Sequence, residues 1–186
     1  MNLKPMRYCK GCTYPEIAVN VSFDENGYST THNTFRAWET ITKKAWEKRK
    51  KVFEKIVKQI KRNNKSNYDC VIAVSGGKDS YFQTHLIKEY GLKPLLVTYN
   101  GGNFLPIGWR NLHRMREVFD ADHLILGPSQ DSLIKLNKLG FTKMGDMNWH
   151  NHCGIFTLPI QIAVKFRIPF VIYGEPFWDI SGMYKP

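Results

Sequence analysis

The spacing of hydrophobic positions changes character near Tyr68. Upstream, Trp38, Ile41, Ala45, Val52, Phe53, Ile56 and Ile60 recur close to one helical stripe, with lysines filling the other faces. This predicts a helix from about Thr34, ended by Asn63-Asn64-Lys65-Ser66-Asn67. Residues 1–33 have no such period and are turn-rich, with Asp24-Glu25-Asn26-Gly27 as the clearest turn signal. Downstream, short apolar runs alternate with helical periods. Cys70-Val71-Ile72-Ala73-Val74 is wholly apolar, as a strand buried on both faces must be. A glycine-containing turn follows, then a helix over 79–90 stopped by Gly91. Leu95-Leu96-Val97-Thr98-Tyr99 and His123-Leu124-Ile125-Leu126 read as the second and third strands. Between them lie the loop Asn100-Gly101-Gly102-Asn103 and a helix marked by Trp109, Leu112, Met115, Val118 and Phe119. A helix over 132–139 and a long loop over 140–154 come next. The helix after that loop is expected to hold Pro159 in its first turn. Pro169-Phe170-Val171-Ile172-Tyr173 reads as the fourth strand, before Gly174-Glu175-Pro176. Strand and helix alternating four times predict an α/β fold with an open parallel sheet over 67–186. A small cysteine-containing segment, 1–33, and a basic amphipathic helix, 34–66, precede it.

The 42% hydrophobic content suffices for a core in a chain of 186 residues. No apolar run approaches the ~20 residues that span a bilayer. Residues 1–8 lack the apolar stretch of a signal peptide, so a soluble, cytoplasmic protein is expected. The net charge of +11 is concentrated in Lys43, Lys44, Lys48, Arg49, Lys50, Lys51, Lys55, Lys58, Lys61, Arg62 and Lys65. Such a helix suits an acidic partner (nucleic acid, anionic lipid or acidic sugar) or is simply a solvated face. Aromatics are not interleaved with the basic residues, which argues against a nucleic-acid stacking platform. Cysteines stand at 9, 12, 70 and 153. Without an export signal they predict no disulfide framework, and Cys9-x-x-Cys12 reads as half of a metal knuckle. Cys153, beside a glycine at a helix start, reads as a packing residue rather than a nucleophile.

The turn after the first strand, Ser75-Gly76-Gly77-Lys78-Asp79-Ser80, carries the chemistry. Adjacent glycines allow positive φ and close approach of the backbone to a ligand. Successive amides, serine hydroxyls and a helix N-terminus then form an anion nest, and Lys78 adds positive charge. A carboxylate at Asp79 beside phosphate is most simply explained by a bridging magnesium ion. Neither the Walker A spacing nor the Gly-x-Gly-x-x-Gly fingerprint is present.

Ser-Gly-Gly-Lys-Asp-Ser after an apolar strand resembles the PP-loop of the ATP pyrophosphatase superfamily, the adenine nucleotide alpha hydrolase-like fold. The resemblance implies that Ser75, Gly76, Gly77, Asp79 and Ser80 hold the β- and γ-phosphates of ATP with magnesium. It also implies a sheet order of 3-2-1-4-5. Strands one and four would then flank the ligand crevice, with Glu175 facing the loop and Thr98 and Tyr99 bordering adenine.

Further stretches stand in the order found in the N-acetyl sugar amidotransferases of bacterial surface polysaccharide synthesis, including lipopolysaccharide O-antigen. They include Tyr8-Cys9-Lys10-Gly11-Cys12, Phe23-Asp24-Glu25-Asn26-Gly27, Leu136-Asn137-Lys138-Leu139-Gly140-Phe141, Asn148-Trp149-His150-Asn151-His152, Gly154-Ile155-Phe156-Thr157 and Tyr173-Gly174-Glu175. This resemblance implies conversion of a sugar acetamido group to acetamidino. ATP would adenylate the amide oxygen, and ammonia from a partner glutaminase would displace AMP. The substrate would be an acidic acetamido sugar or its nucleotide form. Residues 146–152 are expected to form a lid that brings Asn148, Trp149 and His152 to the sugar. His150 and His152 would orient the sugar or move a proton, or else hydrogen-bond within the loop. Arg110 would hold a uronate or phosphate, or a surface salt bridge. Lys78, Asp79, His150 and Glu175 are thus the candidate catalytic residues.

Two departures from that family stand out. Its members often carry a second Cys-x-x-Cys that completes a zinc knuckle, and here the matching positions are Ser29 and His32. A site of Cys9, Cys12 and His32 lacks its fourth ligand, which argues against a stable structural zinc. The chain also ends at Tyr184-Lys185-Pro186, where those enzymes continue. The basic helix and the cysteine pair motivate one alternative, a tRNA-modifying PP-loop enzyme (thiolase or lysidine-type ligase). A truncated, non-catalytic nucleotide-binding module is another.

Overall fold

The computed structural model describes residues 5–18 and 21–174, and Glu175 lies outside them. Over the described residues the chain divides into two compact units, one within residues 5–52 and the other Phe53–Gly174.

In the first unit two short turns are pinned by antiparallel bridges, Tyr8 with Pro15 and Phe23 with Ser29. The second turn is organised by Asp24, whose carboxylate accepts from the amides of Asn26 and Tyr28 and from Asn33 Nδ2. The Asn33 bond and the turn amides hold this carboxyl below its ordinary pKa. Helix α1 (Thr30–Glu39) starts directly after Ser29, whose hydroxyl accepts from the His32 amide at 3.1 Å as N-cap. Helix α2 is Lys43–Asn63. The single helix expected from Thr34 is therefore two helices, beginning earlier and broken at Thr40, Ile41 and Thr42. The threonine hydroxyls cause the break by competing for backbone groups: Thr40 donates to Ala37 O, and Thr42 accepts from Ala45 N. Every lysine and arginine of α2 is exposed.

The second unit is α/β. Its remaining elements are β1 (Cys70–Ala73), α3 (Lys78–Glu89), β2 (Pro94–Tyr99), α4 (Pro106–Phe119), β3 (His123–Leu126), α5 (Gln130–Met144), α6 (Trp149–Phe166) and β4 (Val171–Ile172). The four strands are all parallel, in the order β3-β2-β1-β4. Cys70 pairs with Pro94, Val71 with Val171, and Leu96 with His123. Strand alternation sorts the core. Cys70, Ile72 and Leu96 face Ile87 of α3 and Leu112 and Met115 of α4, together with Val57 and Ile60 of α2. Val71, Leu95 and Val97 face Leu158 and Ala163 of α6. Each fully buried valine, leucine, isoleucine or methionine among them contributes about 1.5–3 kcal/mol.

The long loop expected over 140–154 is a correction. Helix α5 runs on to Met144 and ends at Gly145 with φ 71°, and α6 already begins at Trp149. Only residues 145–148 remain as connection, so residues 146–152 do not form a lid and His150 and His152 are helical. Pro159 lies in the interior of α6, not its first turn. Glycine at 154 suggested a helix start, but its role is packing: a Cβ there would lie 2.5 Å from the Tyr99 ring. The fourth strand is shorter than expected, two residues rather than five. Among the described residues no helix is long and apolar enough to cross a membrane.

Candidate functional site

Strand β1 is central, and the chain proceeds from it to β2 and β3 on one side before returning to β4 on the other. The crevice at the carboxyl ends of β1 and β4 is therefore a topological switch point, where open parallel sheets bind ligands. The turn at residues 75–80 opens there. The Ser75 amide donates to Ser80 Oγ at 2.9 Å, and the two hydroxyl oxygens lie 3.3 Å apart. Ser80 is buried, and its carbonyl accepts from Thr84 Oγ1 at 2.7 Å. These bonds fix the turn from its inner side.

The two glycines serve different ends. Gly76 has φ +77°, and a Cβ there would come within 2.9 Å of the Leu112 backbone. Gly77, at φ −79°, is the N-cap of α3 and supplies no side-chain cap. The first amides of α3 thus meet no capping side chain, and the helix dipole adds positive potential at the same point. Lys78 Nζ sits 2.9 Å from Asp79 Oδ1, with both side chains largely exposed. An exposed neighbouring pair of this kind adds little stability and is free to rearrange around a ligand.

Beside the turn is a cleft of about 180 Å³ lined by Val74, Ser75, Thr98, Tyr99, Gly101, Asn103, Phe104, Asn151 and Ile155. Thr98 and Tyr99, the residues expected beside adenine, do line it. Thr98 has a second task. Its hydroxyl donates to Val74 O at 2.6 Å and so must accept from His123 Nε2 at 2.9 Å. The His123 ring is then the neutral Nε2–H tautomer, with Nδ1 buried and unpartnered among the described residues. Burial, aided by the positive neighbours His113 and Arg116, pushes the His123 pKa down to about 4.

His150 is buried in the first turn of α6. Its Nε2 donates to Asn137 Oδ1 at 2.7 Å, and Nδ1 accepts from the Tyr99 hydroxyl at 3.3 Å. Both ring nitrogens are occupied, and the partners lie on α5 and β2 rather than in a loop. Burial, with the nearby Cys153, raises the Tyr99 pKa, which keeps the phenol a donor. The other residues expected at the sugar are more open. His152 Nε2 is 3.8 Å from Asp146 Oδ2, and Asn148 Oδ1 accepts from Asn103 Nδ2 at 2.9 Å. Trp149 is exposed, and Arg110 is exposed on α4 without an ion pair among the described residues.

Phe104 of the cleft was not singled out from the sequence, and Asn151 and Ile155 stood only within longer stretches, without a role of their own. Asn151 had a signal: Gly101 is needed because a Cβ there would fall on the Asn151 amide. Gln83 was also missed. It lies one helical turn after Asp79, donates to Ala73 O at 3.0 Å, and leaves Oε1 buried without a partner among the described residues.

The first unit carries a separate cluster. The ligand atoms of Cys9, Cys12 and His32 lie within 4.8 Å of one another. Burial alone would raise the Cys9 thiol, but hydrogen bonds from Ser29, from the Ser29 and Gly11 amides and from Cys12 outweigh it and bring the pKa to about 6.

No known protein-family model matches the chain. It is similar to an uncharacterized protein of Methanocaldococcus jannaschii, 31% identical over 91 residues, covering 48% of this chain and 32% of that protein. The aligned part thus spans about a third of the relative's length.

Proposed function

We propose that this chain is a PP-loop enzyme that binds ATP at residues 75–80 and uses it to convert an acetamido group of an acidic sugar to acetamidino. The observation that carries the reading is the Ser75-Gly76-Gly77 turn at the carboxyl end of the central strand, leading into a helix whose N-cap has no side chain. The β3-β2-β1-β4 order supports the PP-loop type, being the first four positions of the order that the resemblance implies.

In this reading the amides at the start of α3 and Lys78 hold the β- and γ-phosphates. Asp79 would hold magnesium, which would neutralise charge developing on the pyrophosphate. The base would occupy the cleft at Thr98, Tyr99 and Phe104, and Asn151 would face it from α6. The acetamido oxygen attacks the α-phosphorus, forming the C–O–P link as the bond to pyrophosphate breaks. Ammonia then adds to the imidate carbon, a proton leaves, and the C–O bond breaks to release AMP. With both nitrogens engaged, His150 is a positioning residue for Tyr99. His152, exposed beside Asp146, would be the imidazole that takes the proton. A partner glutaminase would supply the ammonia, and the product would enter surface-polysaccharide synthesis in the cytoplasm.

The test is incubation of acetamido uronates and nonulosonates, free and nucleotide-linked, with ATP, magnesium and ammonia. Pyrophosphate release with a product one mass unit lighter supports the proposal. Failure with every such sugar, while ATP still binds, removes the sugar reading and leaves the nucleotide site standing. The exposed lysines of α2 favour a tRNA-modifying enzyme instead. A thiolase would need a reactive cysteine, however. Cys70 is buried, and burial, with the Asp69 charge, pushes its thiol up to about 12. Only Cys153 would remain in that unit. Steeply salt-dependent tRNA binding would revive this reading.

A further inference from the structure

We infer that Cys9, Cys12 and His32 bind one zinc ion in a site whose fourth position is open to solvent. The inference concerns the first unit and is independent of the ATP site.

The three ligands come from two turns and a helix start that the backbone holds together. The Tyr8–Pro15 bridge closes the turn bearing Cys9 and Cys12, and the Phe23–Ser29 bridge delivers α1 with His32 in its first turn. The His32 ring has a shaped seat. It stacks on Tyr28 with centroids 4.8 Å apart and planes 19° from parallel, and Gly11 is required because a Cβ there would fall on the imidazole. Each sulfur has hydrogen-bond support. Cys9 Sγ accepts from the Ser29 amide at 3.1 Å and from the Gly11 amide at 3.4 Å. Amide donors of this kind stabilise a metal-bound thiolate and orient it.

The ligand atoms lie within 4.8 Å of one another. Tetrahedral zinc, with bonds near 2.3 Å to sulfur and 2.0 Å to nitrogen, separates its ligand atoms by about 3.5–3.8 Å. Closing from the observed spacing requires about 1 Å of side-chain movement and no backbone rearrangement. Two thiolates and an imidazole form a borderline-soft donor set suited to zinc.

Ser29 stands where a fourth ligand would complete the knuckle, but its hydroxyl is already used. Oγ accepts from the His32 amide as the α1 N-cap, and its one proton is shared between the two sulfurs, Cys9 Sγ and Cys12 Sγ, the latter at 3.1 Å. Ser29 therefore supports a thiolate and does not coordinate. The open position lies on the other side. Cys9 is buried, whereas Cys12 and His32 border a cleft of about 380 Å³ that also contacts Thr31, Phe35, Arg36 and Glu39. Water from that cleft completes the tetrahedron and can be exchanged for another small ligand.

The full chain, purified without chelator, is expected to hold one zinc by elemental analysis, and Cys9→Ser, Cys12→Ser and His32→Ala to lose it. With cobalt(II) in place of zinc, thiolate-to-cobalt charge transfer should show two thiolates. Ser29→Ala should leave this band in place, and Ser29→Cys, adding a third thiolate, should raise it by about half. A small added thiol should shift the d–d bands by occupying the open position. If a variant does not fold, alkylation of the wild-type chain decides. Stoichiometric zinc should protect Cys9 and Cys12, and a chelator should expose them, while Cys153 reacts in both cases. No zinc-dependent protection, or cobalt binding without charge transfer, overturns the site. Loss of the band in a folded Ser29→Ala protein, or no response to added thiol, overturns the open fourth position.

Discussion

The adjacent glycines of the turn make a sharp test because the structure gives them opposite roles. In Gly76→Ala the new methyl sits on a backbone at φ +77°, which costs a non-glycine residue about 1–2 kcal/mol. It also meets the Leu112 backbone nitrogen and Cα at 2.9 Å. Leu112 and Met115 anchor α4 in the core with no exposed surface, so that backbone cannot yield cheaply. Overpacking of this kind adds about 1–3 kcal/mol, for a total of roughly 2–5 kcal/mol. Gly77→Ala has φ −79° and meets only Ser75 Oγ, at 3.5 Å, an ordinary contact. Its stability should stay within about 0.5 kcal/mol of wild type. Its methyl stands at the uncapped start of α3, however, where phosphate is proposed to bind, and ATP affinity should fall at least about tenfold, some 1.4 kcal/mol. Urea unfolding followed by circular dichroism, and calorimetric ATP titration, read the two effects separately. A Gly76→Ala protein as stable as wild type would refute the packing of the turn on α4. A Gly77→Ala protein that binds ATP undiminished would refute the phosphate site.

Three further outcomes follow from the same geometry. Asp79→Asn should cut pyrophosphate release by about 10²-fold or more while leaving the urea midpoint unchanged, since the side chain is exposed. His150→Ala should destabilise by about 1–3 kcal/mol, because it strips partners from the Tyr99 hydroxyl and the Asn137 amide; an unchanged midpoint would contradict the bonded geometry. His123, with a folded pKa of about 4 against the usual 6.5, binds its proton more weakly in the native state. Its contribution is complete above pH 6.5 and is lost as pH falls through 4. Because the ring is partly exposed, the loss is about 1–2 kcal/mol, and His123→Gln should flatten urea midpoints measured across that window.

How much of this was legible in the sequence depends on whether a residue's neighbours are local. Cys70, Val71 and Ile72 announce a strand covered on both faces, and the structure covers them with α3 and α4 on one side and α6 on the other. The Ser-Gly-Gly turn is equally local. The break in the basic helix was missed because the hydrophobic stripe continues through Ile41, and only the hydroxyls of Thr40 and Thr42 interrupt it. The start of α6 was missed because Gly154 answers to Tyr99, a residue on a different strand. The cysteine spacing was visible, but the meeting of His32 with Cys9 and Cys12 depends on the Phe23–Ser29 bridge and the Ser29 cap, which no spacing rule contains.

Polar bookkeeping separates scaffold from site more firmly than residue type does. Thr98 and His150 were candidates because of what a hydroxyl and an imidazole can do, yet each spends its hydrogen bonds inside the protein. They hold β1, β2, β3, α5 and α6 in register around the cleft. Lys78 and Arg110 carry positive charge into solvent at or near the carboxyl edge of the sheet, and Asp79 and His152 are exposed there, all with at most weak partners among the described residues. An anionic ligand gains most from the two cations, because exposed, loosely paired charges lose little when they turn toward a ligand. Gln83 follows the scaffold pattern: its amide nitrogen donates to Ala73 O at 3.0 Å, tying α3 to the end of β1, while Oε1 is buried without a partner among the described residues.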